Sequence, residues 1–206
     1  MRFFSPGGDR SGIIRTMRII AGTKRGMKLF SPKTQASRPI TDRVKESLFS
    51  VLYNYDLPSE AMVADLFCGV GSLGLEALSR GAEFVTFVEK DPKIIATLQK
   101  NIEKAGFAGE SKVIRADAFK IGAPVDEQKY GLVFVDPPYS TTSETKEGSL
   151  LSKLLVLLTE QLSPDGIVVV RTEKRTELLE QYGQLGVIER RQWGTMAVTI
   201  LQRSSK

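Results

Sequence analysis

The sequence predicts an α/β protein on a doubly wound, mostly parallel sheet. Three observations carry this. From Met62 onward, short apolar runs alternate with amphipathic segments that have caps at their ends. One run, LVFVD at 132–136, is nearly all apolar, as a strand covered on both faces must be. A G-x-G-x-x-G turn at Gly69, Gly71 and Gly74 joins the first run to the segment after it.

Residues 1–16 read as an irregular Gly- and Ser-containing extension, with neither a signal nor a transit peptide pattern. Two short apolar runs flank Gly22-Thr23-Lys24-Arg25-Gly26, which predicts a hairpin over 17–30. SPKTQASRPI is a linker. Thr41 or Asp42 caps a helix with Val44, Leu48, Val51, Leu52 and Tyr55 on one face, stopped by Leu57-Pro58. MVADLF is a strand, and 72–80 is a helix closed by Gly81. A strand over 84–89 leads to Asp91, which caps a helix with Pro92 at its first position and Gly106 at its end. Strands follow at 112–116 and 132–136, then a helix near 150–162 and a strand at 166–172. A short helix is expected around 176–182. The last two strands, 187–202, turn at Gly194 and are expected to be antiparallel.

Composition narrows the chemistry. The 206 residues include no His and one Cys, Cys68. Ser-His-Asp and Cys-His nucleophile systems, an H-E-x-x-H zinc site, an intramolecular disulfide and a CxxC site are all excluded. No run approaches the ~20 apolar residues of a membrane span. A cytoplasmic setting without membrane or metal is expected. The net charge of +5 hides an asymmetry. Residues 1–45 hold eleven Lys or Arg and two acidic residues, whereas the rest holds 18 basic and 22 acidic side chains. Such a basic front fits either a phosphate-bearing partner or a solvated basic tail.

The motifs lie at the ends of predicted strands. Glu89 falls 20 residues after Gly69, where an acidic residue accepts bonds from ribose hydroxyls. Asp65, inside an apolar strand, needs hydrogen-bond partners and favours a cationic ligand over a pyrophosphate. Asp117 could accept from an adenine amine or cap a helix. Asp136-Pro137-Pro138-Tyr139 removes two N–H donors and leaves acceptors beside an aromatic face. That set suits a planar exocyclic amine. Its alternative is a stiff strand-to-loop turn with Tyr139 in the core.

These residues resemble the class I S-adenosylmethionine-dependent amino-methyltransferases. More narrowly, MRIIAGTKRG, RPITDRVKESLFSVL, DLFCGVGSLGLEALSRGA, FVEKD, DPPY and WGTMAVTIL resemble the bacterial 16S ribosomal RNA guanine-N2 methyltransferase family, over about residues 17–202. The resemblance implies a Rossmann-like seven-stranded sheet, mostly parallel, with a C-terminal antiparallel hairpin. It divides the chain into the extension 1–16, a basic RNA-binding hairpin and linker 17–40, and a methyltransferase domain 41–206. It assigns S-adenosylmethionine to Asp65, Phe67, Gly69, Gly71, Glu89, Lys90, Asp117 and Ala118. It assigns the target base to Asp136, Pro137 and Tyr139.

RNA contacts are expected from Arg18, Lys24, Arg25, Lys28, Arg38 and Arg43. The expected partner is 16S rRNA in the small subunit or an assembly intermediate, met by a monomer. An amino-methyltransferase for DNA adenine or another amine, and a non-catalytic nucleic-acid-binding module, remain as alternatives.

Overall fold

A computed structural model describes residues 17–31, 40–126, 128–142 and 144–204. The extension 1–16, most of the linker and Arg38 lie outside the described residues.

The hairpin is closed by backbone pairing. Ile19 N–H donates to the Met27 carbonyl, Gly26 N–H to Ile19, and Leu29 N–H to Met17, around a 3-10 turn at Gly22–Lys24. Its apolar side chains Met17, Ile19 and Leu29 are buried in the core.

Helix α1, Asp42–Leu52, begins where the Thr41 hydroxyl accepts from Val44 N–H. Strand β1, Met62–Leu66, leads through the glycine turn into α2, Ser72–Ser79. Strand β2, Phe84–Glu89, leads to α3, Pro92–Ala105, capped by Asp91 and ended by Gly106 with φ 74°. Strand β3, Ser111–Arg115, runs into the short α4, Ala118–Ile121. Strand β4, Tyr130–Val135, is followed by α5, Leu150–Gln161, and then by β5, Leu162–Glu173.

The expected helix at 176–182 does not form. Leu178, Leu179 and Tyr182 have helical spacing, but the sheet edge takes Tyr182 instead. It pairs with Leu185 in the two-residue strand β6, Gln181–Tyr182. Its hydroxyl accepts from Leu179 N–H and donates to the Thr145 carbonyl. Strands β7, Leu185–Trp193, and β8, Met196–Arg203, complete the antiparallel end. Among the described residues the sheet therefore has eight strands, one more than expected, in the order β3-β2-β1-β4-β5-β8-β7-β6.

Two apolar cores flank the sheet. The hairpin, α1, α2 and α3 cover one face, and α5 covers the other. The order reverses between β2-β1 and β1-β4, with all these strands parallel. A crevice outside the carboxyl ends of the strands follows at that point.

Candidate functional site

A cavity of about 680 Å³ opens there. Five strand ends supply its walls: Asp65 and Phe67 at the end of β1, Glu89 and Lys90 at the end of β2, Ala116 and Ala118 after β3, Asp136 to Ser140 after β4, and Arg171 and Glu173 at the end of β5. Met17 of the hairpin and Ile40, before α1, also line it. Among the described residues, the lining carries five carboxylates (Asp65, Glu89, Asp91, Asp136 and Glu173) and two cations (Lys90 and Arg171). This excess of negative charge favours a cationic ligand and opposes a pyrophosphate.

The turn after β1 is shaped by backbone constraints. Phe67 sits in the left-handed region at φ 57°, a strained choice for a side chain with a Cβ. Its ring packs against Phe119, with centroids 4.7 Å apart. Gly69, at φ 56°, lines the cavity, and its N–H donates to Glu89 Oε2 at 3.1 Å.

Glu89 Oε1 accepts from Lys90 and Asp91 N–H at 2.8 and 2.9 Å. The carboxylate is thus fixed by three backbone donors, and its oxygens retain acceptor capacity toward the cavity. Asp65 is 1% exposed, and its Oδ2 accepts from Gly74 N–H at 2.8 Å. Burial holds its carboxyl well above the usual range; the Gly74 bond pulls the other way.

Two expected cofactor residues stand back from the wall. A Cβ at Gly71 would meet Leu98 at 2.5 Å, so this glycine lets α2 pack against α3. Asp117 caps α4, its Oδ1 accepting from Phe119 N–H at 3.1 Å. Ala116 and Ala118 line the cavity in its place.

The acceptor turn closes the cavity on the β4 side. Pro137 is buried, Pro138 is exposed and Tyr139 is half-buried. Tyr139 starts a 3-10 turn in which Thr141 donates to the Pro138 carbonyl. Asp136 Oδ1 accepts from Arg171 Nε at 2.6 Å. Burial pushes the Asp136 carboxyl up, and the Arg171 guanidinium draws it back down. Arg171 escaped the sequence reading, although a cation inside GIVVVRT is as conspicuous as Asp65 inside MVADLF.

The basic front is not uniform. Arg25, Lys28 and Arg43 are exposed. Arg18 pairs with Asp42 at 2.7 Å on the surface. The Lys24 ammonium lies 5.6 Å above the Phe107 ring. Lys45, counted among the front's charges, is 1% exposed and faces inward. Its Nζ donates to the Arg18 carbonyl at 2.7 Å and pairs with the fully buried Glu76 at 3.3 Å.

Glu76 in turn accepts from Ile20 N–H, Ala21 N–H and Arg80 Nε at 2.8, 3.0 and 2.8 Å. This carboxylate fastens the hairpin to α2. Asn101 performs a similar role, accepting from Phe30 N–H and donating to the Phe30 and Val70 carbonyls. It holds Phe30, an aromatic 49% exposed, with the Lys104 ammonium 4.7 Å from the ring. Phe30 and Lys104 are additions to the surface that charge counting alone had marked.

Among the described residues no group of three or more Cys, Asp or Glu is arranged to hold a metal ion, and no helix is long and apolar enough to cross a membrane.

The reversed strand order, the glycine turn, the strand-end carboxylate and the antiparallel C-terminal strands define a Rossmann-like fold of the class I methyltransferase type. Within that class, the chain belongs to the family described as Conserved hypothetical protein 95, which it matches over residues 17–202. It is 38% identical over 165 residues to ribosomal RNA small subunit methyltransferase D of Haemophilus influenzae, covering 79% of this chain and 82% of that one. It is 32% identical over 203 residues to the protein of the same name from Escherichia coli K12, covering 98% and 96%. The solved structure of yhhF from Escherichia coli superposes with a TM-score of 0.77 at 33% identity, over 93% of this chain and 99% of that one.

Proposed function

We propose that this protein transfers a methyl group from S-adenosylmethionine to the N2 amine of a guanine in 16S ribosomal RNA of the small subunit. The observation that carries the reading is the turn Asp136-Pro137-Pro138-Tyr139, whose Asp136 carboxylate and proline carbonyls offer acceptors beside an aromatic ring, set at the mouth of a carboxylate-lined cavity. The names of the relatives support the ribosomal substrate.

The cavity suits the cofactor on its own chemistry. Its excess of carboxylates matches a ligand bearing an ammonium and a sulfonium, and its volume lies within the ~300–1,000 Å³ range of small-molecule sites. Glu89 takes the ribose hydroxyls on its remaining acceptor sites. Asp65 and the Gly69 backbone face the cationic end, while Phe67 and Ala118 give apolar walls and Lys90 borders the rim. Asp117 acts by shaping the α4 turn. When bound, S-adenosylmethionine supplies an electrophilic methyl on a positively charged sulfur.

The remaining work belongs to this chain's residues. Tyr139 offers a ring face to an unpaired or flipped base. The Asp136 carboxylate and the Pro137 carbonyl accept the two N–H bonds of the amine. The N2 lone pair, delocalised into the guanine ring, is thereby drawn toward tetrahedral geometry and aimed at the methyl. Orientation supplies most of the rate. Asp136 or water takes the proton that the product amine releases.

Arg25, Lys28 and Arg43 contact RNA phosphates, with Arg18 and Lys24 contributing from more constrained positions. The hairpin thereby forms the RNA-binding element of residues 17–40. Asp136→Ala tests the reading. Turnover falls by ~100-fold or more, as for loss of a preorganised transition-state contact, while cofactor affinity persists. Wild-type single-turnover rates would remove Asp136 from the reaction.

A further inference from the structure

We propose that Arg171 is a positioning residue for methyl transfer, holding Asp136 as a fixed, ionised acceptor for the target amine. The inference rests on the methyltransferase reading above and adds a residue to it.

Three neighbouring strands bring the groups together. In the parallel pairing of β4 and β5, Val135 lies opposite Val170, so Asp136 and Arg171 occupy the next register position on the same face. On the other side of β4, Asp65 lies opposite Phe134 in β1. Asp65 and Asp136 therefore line the same cavity, the first carboxylate buried and the second 21% exposed, with Glu89 across from them. Each carboxylate is pushed toward its neutral form by burial, and Asp65 is pushed further by Asp136 and Glu89. Arg171 is the cation that faces both, but it bonds Asp136 directly. Arg171 thus favours ionisation of Asp136 more than that of Asp65.

The geometry divides the labour between the two oxygens. Oδ1 is engaged by Arg171 Nε at 2.6 Å. Oδ2 is the atom left to accept an N–H of the amine. A protonated Asp136 would carry an O–H donor at this place and would oppose an amine hydrogen with a hydrogen of its own. A bond to an Arg side chain only 10% exposed also stops the carboxylate from rotating.

The test uses the full chain with Arg171→Met, Arg171→Lys and Asp136→Asn. Methyl transfer to unmethylated small subunits is followed across pH, beside cofactor affinity by calorimetry and thermal melting. With Arg171→Met, kcat falls about tenfold or more at neutral pH, by analogy with loss of a fixed polar contact. The acid limb of the pH–rate profile moves up by about one unit or more, because an opposite charge at this distance lowers a carboxyl by that amount. KM for subunits and cofactor affinity stay within about threefold, and Arg171→Lys restores part of the rate but not all of it.

A wild-type rate and acid limb in Arg171→Met would overturn the proposal. So would a loss of rate that tracks lost cofactor affinity or a lower melting temperature, with the limb unmoved. If Asp136→Asn turns over normally, the methyltransferase reading of the turn itself fails. If Asp136→Asn is inactive while Arg171→Met is normal, only the role of Arg171 fails.

Discussion

Glu76→Gln should be among the most damaging single changes outside the cavity. The side chain is 0% exposed and meets two buried cations, Lys45 at 3.3 Å and Arg80 at 2.8 Å. Gln keeps the shape and loses the charge. Arg80 retains Glu46 at 2.9 Å and the Tyr53 hydroxyl at 3.1 Å. Lys45 retains only neutral oxygens, those of Arg18 and Ser72. Its ammonium is then buried with no carboxylate in contact, only the weaker pull of Asp42 from farther off.

Breaking one side of such a pair costs about 3–5 kcal/mol. For a chain of this size that lowers Tm by about 6–20 °C, at ~2–4 °C per kcal/mol. Burial already holds the Lys45 pKa below its ordinary value, and Glu76 is the main influence raising it. In the variant it drops further. A lysine whose folded pKa lies below its unfolded one makes the protein more stable as pH rises, so the deficit should shrink on the alkaline side.

The assay is a set of melts from neutral to alkaline pH for wild type, Glu76→Gln, Lys45→Met and the double variant. The double variant should recover much of the loss, since an apolar side chain of similar size needs no partner. A Glu76→Gln melt within 1–2 °C of wild type, or a double variant no better than the single, would refute the reasoning.

Three further outcomes follow from the site. Glu89→Ala should weaken S-adenosylmethionine by about 2–3 kcal/mol, as for hydrogen bonds to a charged group, and calorimetry reads this directly. Asp65 is held well above the usual carboxylate range by burial, so cationic cofactor binding should ionise it and release a proton. Binding heats measured in two buffers of different ionisation enthalpy should then differ. The same upward shift means that Asp65's contribution to stability is full below the ordinary carboxylate range and lost as pH rises from there through its folded pKa; the cofactor-free protein should melt lower as pH climbs above that range. Replacing Arg25 and Lys28 together with Ala should flatten the salt dependence of RNA affinity by about two units, near one per lost phosphate contact, with cofactor affinity unchanged. Adding Lys24→Ala should also lower stability, because that side chain packs over Phe107.

What could be read ahead of the structure was local. Thr41, Asp91 and Gly106 stand at helix ends as their residue types predict, and β2 spans the residues its pattern marked. Gly69, Glu89 and the Asp136 turn reach one cavity because each follows a strand of the same parallel sheet. The errors have a common cause in contacts between distant residues. Arg171 meets Asp136 across 35 positions, and Glu76 meets Ile20 across 56. Neither spacing leaves a periodic trace. Lys45 reads as surface charge because its helix is amphipathic and its first five residues carry four charges; only Glu76, an acid in the apolar helix SLGLEALS, marks the buried pair from the other side. The segment 176–182 has helical spacing, but Tyr182 gains a strand partner and two hydrogen bonds at the sheet edge.

The decisive measurement is incubation of the full chain with labelled S-adenosylmethionine and small ribosomal subunits that lack the modification, followed by nucleoside mass spectrometry of the 16S RNA. Label should enter N2-methylguanosine at a single position, and Asp136→Ala should abolish it while still binding cofactor. Label in an adenosine, in protein, or in nothing at all would contradict the proposed function.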